Sequence, residues 1–305
     1  IELDEQMRTY EQEMKHLTGD ALEQKMNQYT NATHRFEQLN GFAYKSEITG
    51  ILNGTTNYML YKMSTENCDF DTVLKEAQAK GYAEADPTAD VEGQDACRKI
   101  AILASIISGK YVDFEEIYTE GITKITTEDM QYAKALGMNI KLLAECKHVD
   151  GTLYAGVAPV LLHAEHPLYS VNGVFNAVFV KGNMLGDAMF YGSGAGKLPT
   201  ASAVVADIVA VVQNQGRDIM NFWSEEKLTL EDRSKTSKKF LVRILGNEDA
   251  FKERIGNDFG EVRFVEAGVN GEFGFVTPVM TEGEYEEKAK AYPEILHMIR
   301  VEEEV

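Results

Sequence analysis

Residues 77–99 read Ala77-Gln78-Ala79-Lys80-Gly81-Tyr82-Ala83-Glu84-Ala85-Asp86-Pro87-Thr88-Ala89-Asp90-Val91-Glu92-Gly93-Gln94-Asp95-Ala96-Cys97-Arg98-Lys99. The pattern predicts an acid-rich loop, Gly81 to Asp90, running into a helix from about Val91 to Gly109. Asp95 and Lys99 are four apart, so on that helix they share a face and can pair. A lysine held by a carboxylate is a positioned proton donor for an oxygen that gains charge. Glu84, Asp86 and Asp90 on the loop could grip a cationic amino group through charge-assisted hydrogen bonds. Plainer readings stand beside these: Asp86 and Asp90 as helix caps, and Asp95–Lys99 as one more solvated pair. A calcium loop does not fit, because the Asp-x-Asp-x-Asp-Gly pattern with its distal glutamate is absent.

On the N-terminal side, Ile48 to Met63 reads as a helix entered through Asn53-Gly54-Thr55-Thr56, and Phe70 to Lys80 as another, started by Asp69 or Asp71. Before them, Leu3, Met7, Tyr10, Met14 and Leu17 recur at three-to-four spacing. So do Leu22, Met26, Tyr29 and Phe36 after a break at Thr18-Gly19-Asp20, and Asn40-Gly41 is a stop. Residues 1–47 are therefore expected to be a helical hairpin with a thin apolar seam.

On the C-terminal side, Thr127 with Asp129 predicts a helix ending near Gly137. Strands follow at Asn139 to Val149 and Thr152 to Leu162, about the Asp150-Gly151 turn, and at Phe175 to Lys181 and Ala188 to Tyr191, about Gly182-Asn183. Gly192 to Gly196 lead into an apolar helix, Ala201 to Gln213. Neither phosphate-binding pattern fits this cluster: Lys197 stands where the third dinucleotide-binding glycine belongs, and Leu198 where a phosphate loop needs Ser or Thr. Residues 223–239 read as a polar linker. Beyond it, strands at Phe240 to Leu245, Val262 to Ala267, Phe273 to Pro278 and Ile295 to Val301 alternate with helices at Asp249 to Ile255 and Glu282 to Ala291. That order is β-α-β-β-α-β, ferredoxin-like. The fold class is α/β in the broad sense, α+β in local order, with a mixed sheet. The strands can be buried by helices on one face only, so a second copy is expected to cover an edge or face.

Composition removes several function classes. The net charge of −19 repels phosphate backbones, so nucleic acid is not an expected partner. No stretch approaches the roughly 20 apolar residues of a membrane span, and Ile1 to Glu13 is acidic, unlike a targeting peptide. The three cysteines, Cys68, Cys97 and Cys146, form neither a disulfide framework nor a zinc pattern, and Cys146 with His148 lacks a second pair, so no metal is expected. A cytoplasmic, reducing setting fits.

The stretch at 77–99 resembles the signature segment of homoserine dehydrogenases. Gly50-Ile51-Leu52-Asn53-Gly54-Thr55-Thr56-Asn57-Tyr58 resembles the opening of the same family's substrate domain, and His166-Pro167-Leu168, Val171 to Ala177, and Gly192 to Asp207 resemble its later parts. The resemblance runs from about Ile48 to the C-terminus. It implies an NAD(P)-dependent interconversion of L-homoserine and L-aspartate 4-semialdehyde in threonine and methionine biosynthesis. Lys99 would be the proton donor, and Asp95 would orient it and the substrate. Glu84 would bind substrate and Asp90 would help hold its amino group, Tyr82 and Gly81 would line the pocket, and Gly194 and Gly196 would approach the dinucleotide. Residues 48–222 would be the catalytic domain. Residues 240–305 resemble an ACT-type regulatory domain, which implies an amino-acid effector such as threonine.

Such enzymes begin with a parallel dinucleotide-binding domain that carries a Gly-x-Gly-x-x-Gly turn, a further active-site lysine and the residue that distinguishes NAD from NADP. No such pattern stands before Ile48. Residues 1–47 instead resemble a helical segment of ABC-F ATPases, in Thr18-Gly19-Asp20 and Asn40-Gly41-Phe42-Ala43-Tyr44-Lys45-Ser46-Glu47-Ile48. The two resemblances meet at Ile48 to Gly54, which predicts a fused or misassembled reading frame. Two function classes follow: an oxidoreductase that is inactive as this chain alone, or a non-catalytic amino-acid-binding, dimerising fragment.

Overall fold

The computed structural model describes residues 2–38, 47–149, 152–182, 186–194, 196–216 and 223–302, the side chains of 2–5 and 33–38 excepted. The expected turns at Asn40-Gly41 and Asp150-Gly151, and Asn183, lie outside the described residues.

The N-terminal helices α1 (Glu2–Met14) and α2 (Asp20–Gln38) form the expected hairpin. Its seam is thin: Met7 and Ala32 are buried, flanked by Tyr10 and Tyr29. Tyr29 donates to Glu11 at 2.9 Å, and Lys25 pairs with Glu13 at 2.7 Å. Met26 is 54% exposed, so the predicted stripe does not bury all its members.

The next segment corrects the expected helix at 48–63. Glu47–Ile51 is a strand, β1, and α3 begins only at Gly54 (Gly54–Glu66). Ile48, Thr49 and Ile51 favour the pleat, and Asn53 ends the strand as a helix cap, its side chain accepting from the Thr56 amide at 2.9 Å. Helix α4 (Phe70–Ala79) starts at the Asp69 cap as expected. The predicted helix from Val91 divides in two, a short α5 (Thr88–Val91) and α6 (Gln94–Ser108), because Gly93 between them is left-handed at φ 78°. Strands β2 (Lys110–Tyr111) and β3 (Tyr118–Thr119) precede α7 (Thr127–Ala135), whose cap is Thr126 rather than Thr127, closed into a capping box by Asp129.

Strands β4 (Asn139–Val149) and β5 (Thr152–Leu162) pair in one antiparallel register over their whole length. Strand β6 (Phe175–Gly182) lies on the far side of β1 and pairs with β7 (Gly186–Ser193). Helix α8 (Lys197–Gln213) starts four residues earlier than expected. The supposed linker contains a strand, β8 (Ser224–Lys227), parallel to β2. The C-terminal unit follows: β9 (Ser237–Leu245), α9 (Glu248–Phe259), β10 (Arg263–Val265), β11 (Glu272–Val276), a two-residue β12 (Met280–Thr281), α10 (Glu282–Ala289) and β13 (Ile295–Val301).

The strand order β10-β11-β9-β13-β5-β4-β1-β6-β7 runs through both halves as one mixed sheet, joined where β13 pairs with β5 in parallel. Helices α3, α4, α6 and α7 cover one face of β1, β4 and β5. The expectation of one-sided burial fails there, because Leu168 and Val171 cover the other face over Leu143, Val160 and Leu162. In the C-terminal unit, alternation along β9 sends Phe240, Val242 and Ile244 to α9 and α10 and Leu241 to the main core. Helix α8 differs from every other helix of the main unit. None of its residues is buried, and Val205, Ile208, Val211 and Val212 are more than half exposed.

Candidate active site

The end of β1 and the start of α3 place Asn53 at the centre of the site. Its cap oxygen is committed to α3, which fixes the amide, and Nδ2 then donates to Asp90 Oδ1 at 2.7 Å and to Asp95 Oδ2 at 2.9 Å. Lys99 Nζ lies 2.7 Å from the same Asp95 oxygen and 2.9 Å from the Leu52 carbonyl. The i,i+4 pair foreseen from spacing therefore exists, and Asn53 ties it to the acidic loop. Lys99 and Asp95 are 46% and 32% exposed, so as an ion pair they add little to stability. Their position, not their strength, is informative. Asp90 Oδ2 and Asp95 Oδ1 keep free acceptor capacity among the described residues. With Lys80 on the same wall already paired with Glu76, the two carboxylates and the Lys99 ammonium leave a local negative charge, suited to a cation.

These groups open on one cavity of about 420 Å³. Gly81 and Tyr82 line it on the loop side, with Thr55 donating to the Tyr82 carbonyl at 2.6 Å and the Tyr82 ring edge-on to Tyr58 at 5.0 Å. Gly194 and Gly196 line it too, with Val174 and Asn176. Seven of the eight residues expected at a site thus share one cavity. The eighth, Glu84, is exposed and off the cavity wall; its carbonyl accepts from Gln78. Asp86 takes the plain reading, capping Thr88 through its amide at 3.1 Å and its hydroxyl at 2.6 Å, bonds that hold its carboxyl below the usual range.

Sequence reasoning missed Asn53 and Asn176. Reading 48–63 as one helix put Asn53 inside it and hid its capping role. The motif Asn53-Gly54-Thr55-Thr56, a capping residue before hydroxyl residues, was the available signal. Behind the wall, Asn57 donates to the carbonyls of Val171, Gly173 and Phe175 at 2.9–3.1 Å. Lys141, 2% exposed, donates to Val171 O at 2.5 Å, Asn172 Oδ1 at 2.8 Å and Asn57 Oδ1 at 3.2 Å. Burial pushes Lys141 down to about 8.

Among the described residues no three His, Cys, Asp or Glu side chains are placed to hold a metal, and Cys146 lies in the core, its thiol pushed up to about 12 by burial. Two larger clefts, of about 700 and 500 Å³, lie at the seam with the C-terminal unit. In the first, Glu116, Glu231 and Glu286 are already paired with Lys227, Lys235 and Arg233. The smaller cavity is the one on which the motif residues converge.

The family model described as homoserine dehydrogenase matches residues 37–209, beginning before the Ile48 boundary read from the sequence. The homoserine dehydrogenase of Bacillus subtilis is 48% identical over 169 residues, 55% of this chain and 39% of that protein. That of Synechocystis is 54% identical over 169 residues, again 39% of its length. The chain therefore spans about two fifths of the curated relatives it matches. Among solved structures, the homoserine dehydrogenase from Thiobacillus denitrificans superposes with a TM-score of 0.74 at 32% identity, covering 88% of this chain and 67% of that one. The S. aureus homoserine dehydrogenase at pH 7.5 gives 0.72 at 32% identity, covering 85% and 65%.

Proposed function

The chain belongs to the homoserine dehydrogenase family, a family of oxidoreductases, and from that premise we propose that it supplies the substrate-binding and proton-transferring half of such an enzyme. The reaction is the NAD(P)-dependent interconversion of L-homoserine and L-aspartate 4-semialdehyde, in threonine and methionine biosynthesis. One observation carries the reading: Asn53 gathers Asp90, Asp95 and Lys99 around one cavity that Gly194 and Gly196 also line.

The free oxygens of Asp90 and Asp95 take the substrate's ammonium. Lys99 Nζ, held by Asp95 and the Leu52 carbonyl, keeps a proton at the substrate oxygen, delivering it as that oxygen gains charge and recovering it in the reverse direction. Glu84 enters this scheme only if its loop folds over the bound amino acid. The glycine wall fits a flat ring: a Cβ on Gly194 would stand 2.0 Å from the Asn176 amide nitrogen, so the wall stays cut back there. Gly194, Gly196 and Asn176 would hold the nicotinamide end of NAD(P), whose chemistry is to accept or supply a hydride.

We also propose a cytoplasmic homodimer. Residues 48–222 would be its catalytic unit, and the ferredoxin-like unit at 240–305 would take an amino-acid effector. The free cysteines support a reducing compartment. No described helix is long and apolar enough to cross a membrane.

The test mixes the 305-residue chain with homoserine and NAD or NADP, alone and with the separately expressed dinucleotide-binding domain of a relative. Reduced cofactor should accumulate only in the mixture, and Lys99→Ala should abolish it. Turnover in the mixture that survives Lys99→Ala would overturn the assignment. A mixture that neither turns over nor binds homoserine would favour a non-catalytic fragment.

A further inference from the structure

Asn176 opens β6, across the ladder from Gly192, and lines the candidate cavity. Its Oδ1 is buried and accepts nothing, and among the described residues Nδ2 has no partner either. A buried carbonyl oxygen is rarely left unpaired, because water has been removed and nothing has replaced it. The surroundings preserve the slot. A Cβ on Gly194 would lie 2.0 Å from Asn176 Nδ2, and one on Gly54 would lie 2.9 Å from Val174 O and 3.4 Å from Asn176 Oδ1. Neither glycine has a positive φ, so what these positions require is room rather than backbone freedom.

We infer that Asn176 determines specificity for the cofactor by reading the carboxamide of the nicotinamide ring. This rests on the function proposed above. An asparagine side chain presents one acceptor and one donor side by side, and its complement is the same pair reversed, a primary carboxamide. The immediate wall, Gly54, Val174 and Gly194, carries no charge. The charged ends of an amino acid are better served by Asp90, Asp95 and Lys99 on the same cavity. A carboxylate in place of the carboxamide lacks the donor that Oδ1 needs.

The experiment follows the Asn176 side-chain amide by nitrogen-15 NMR in the full chain, assigned by its loss in Asn176→Ala. Nicotinamide mononucleotide, nicotinic acid mononucleotide and L-homoserine are titrated separately. Nicotinamide mononucleotide should move the amide signal. Its preference over the acid should fall roughly ten-fold in Asn176→Ala, the size expected for one hydrogen bond to a neutral partner. Homoserine binding should be unchanged. Should Asn176→Ala fail to fold, Asn176→Leu, of similar size and without a hydrogen-bonding group, is read in the same way. A preference that survives substitution, or an amide that nicotinamide mononucleotide does not move, overturns the inference. If homoserine still binds in that case, the proposed function stands without it; if homoserine also fails to bind the unmodified chain, the proposed function falls too.

Discussion

Asn53 and Lys141 show how single side chains build this site from opposite directions. Asn53 spends one oxygen on α3 and two N–H groups on Asp90 and Asp95, so Asn53→Ala removes a helix cap and the link between two carboxylates at once. We expect a loss of about 1 kcal/mol in thermal or urea unfolding and a weaker homoserine complex by titration calorimetry. Unchanged homoserine affinity would mean that Asn53 does not organise the acidic pair. Lys141 is a buried ammonium whose acceptors are neutral oxygens. Burial lowers it from 10.5 to about 8. Between those values the unfolded chain binds more protons than the folded one, so this residue's contribution to stability rises with pH across the window. Below about pH 8 it imposes a constant penalty on the order of 3 kcal/mol. Unfolding of the natural chain and of Lys141→Met, measured at pH 7.5 and 10, should differ by less of that penalty at the higher pH. A pH-independent difference would contradict the lowered value.

At the scale of elements, the C-terminal unit is joined to the rest by buried charges as well as by the β13–β5 ladder. Arg243 on β9 reaches Asp129 on α7 at 2.6 Å and Glu272 on β11 at 2.8 Å, and His297 on β13 lies 2.9 Å from Asp129. Burial alone would raise the Asp129 carboxyl; His297 and Arg243 outweigh it and hold it low. Arg243→Ala would strand a fully buried carboxylate and should cost roughly 3–5 kcal/mol in urea unfolding. A loss under about 1 kcal/mol would mean the seam is held by the apolar packing of Leu241, Val276 and Ile299 instead. At the other end of the sheet, β7 has a free edge and exposes Met189, Phe190 and Tyr191 by 45%, 68% and 54%. An edge of that kind attracts another chain. Light scattering should give a dimer at micromolar concentration and a shift towards monomer for Phe190→Lys; a monomeric natural chain would remove the dimer.

At the scale of the molecule, Asp90, Asp95 and Lys99 share their cavity with Gly194 and Gly196, both exposed. Helix α8 starts at Lys197, directly after Gly196, and presents an apolar surface with nothing described against it. Hydride transfer needs the reacting carbons held within roughly 3–3.5 Å, and an open site leaves Lys99 in water, where its electrostatic help is weak. The 305-residue chain alone should therefore show no homoserine-dependent reduction of NAD or NADP by absorbance. Turnover by the chain alone that vanishes in Lys99→Ala would reveal a dinucleotide site elsewhere in it.

The sequence by itself determined what local rules govern. Asp95 and Lys99 pair because four residues make one helical turn, β4 and β5 pair as successive antiparallel strands, and the C-terminal elements fall in β-α-β-β-α-β order. It also carried the family resemblance that pointed to the candidate site residues. Only the tertiary structure decided what depends on contacts between distant segments. Ile48 to Ile51 became a strand because β4 and β6 flank it, which no local periodicity encodes. The apparent linker became β8 because β2, over a hundred residues earlier, offered a parallel partner. Both halves share one sheet because β13 finds β5. Asn53 meets Asp90 and Asp95, and Asn176 faces Gly54 and Gly194, across separations of about 20 to 120 residues. Such pairings are set by how whole elements pack, and the energy that selects them appears only once the core has formed.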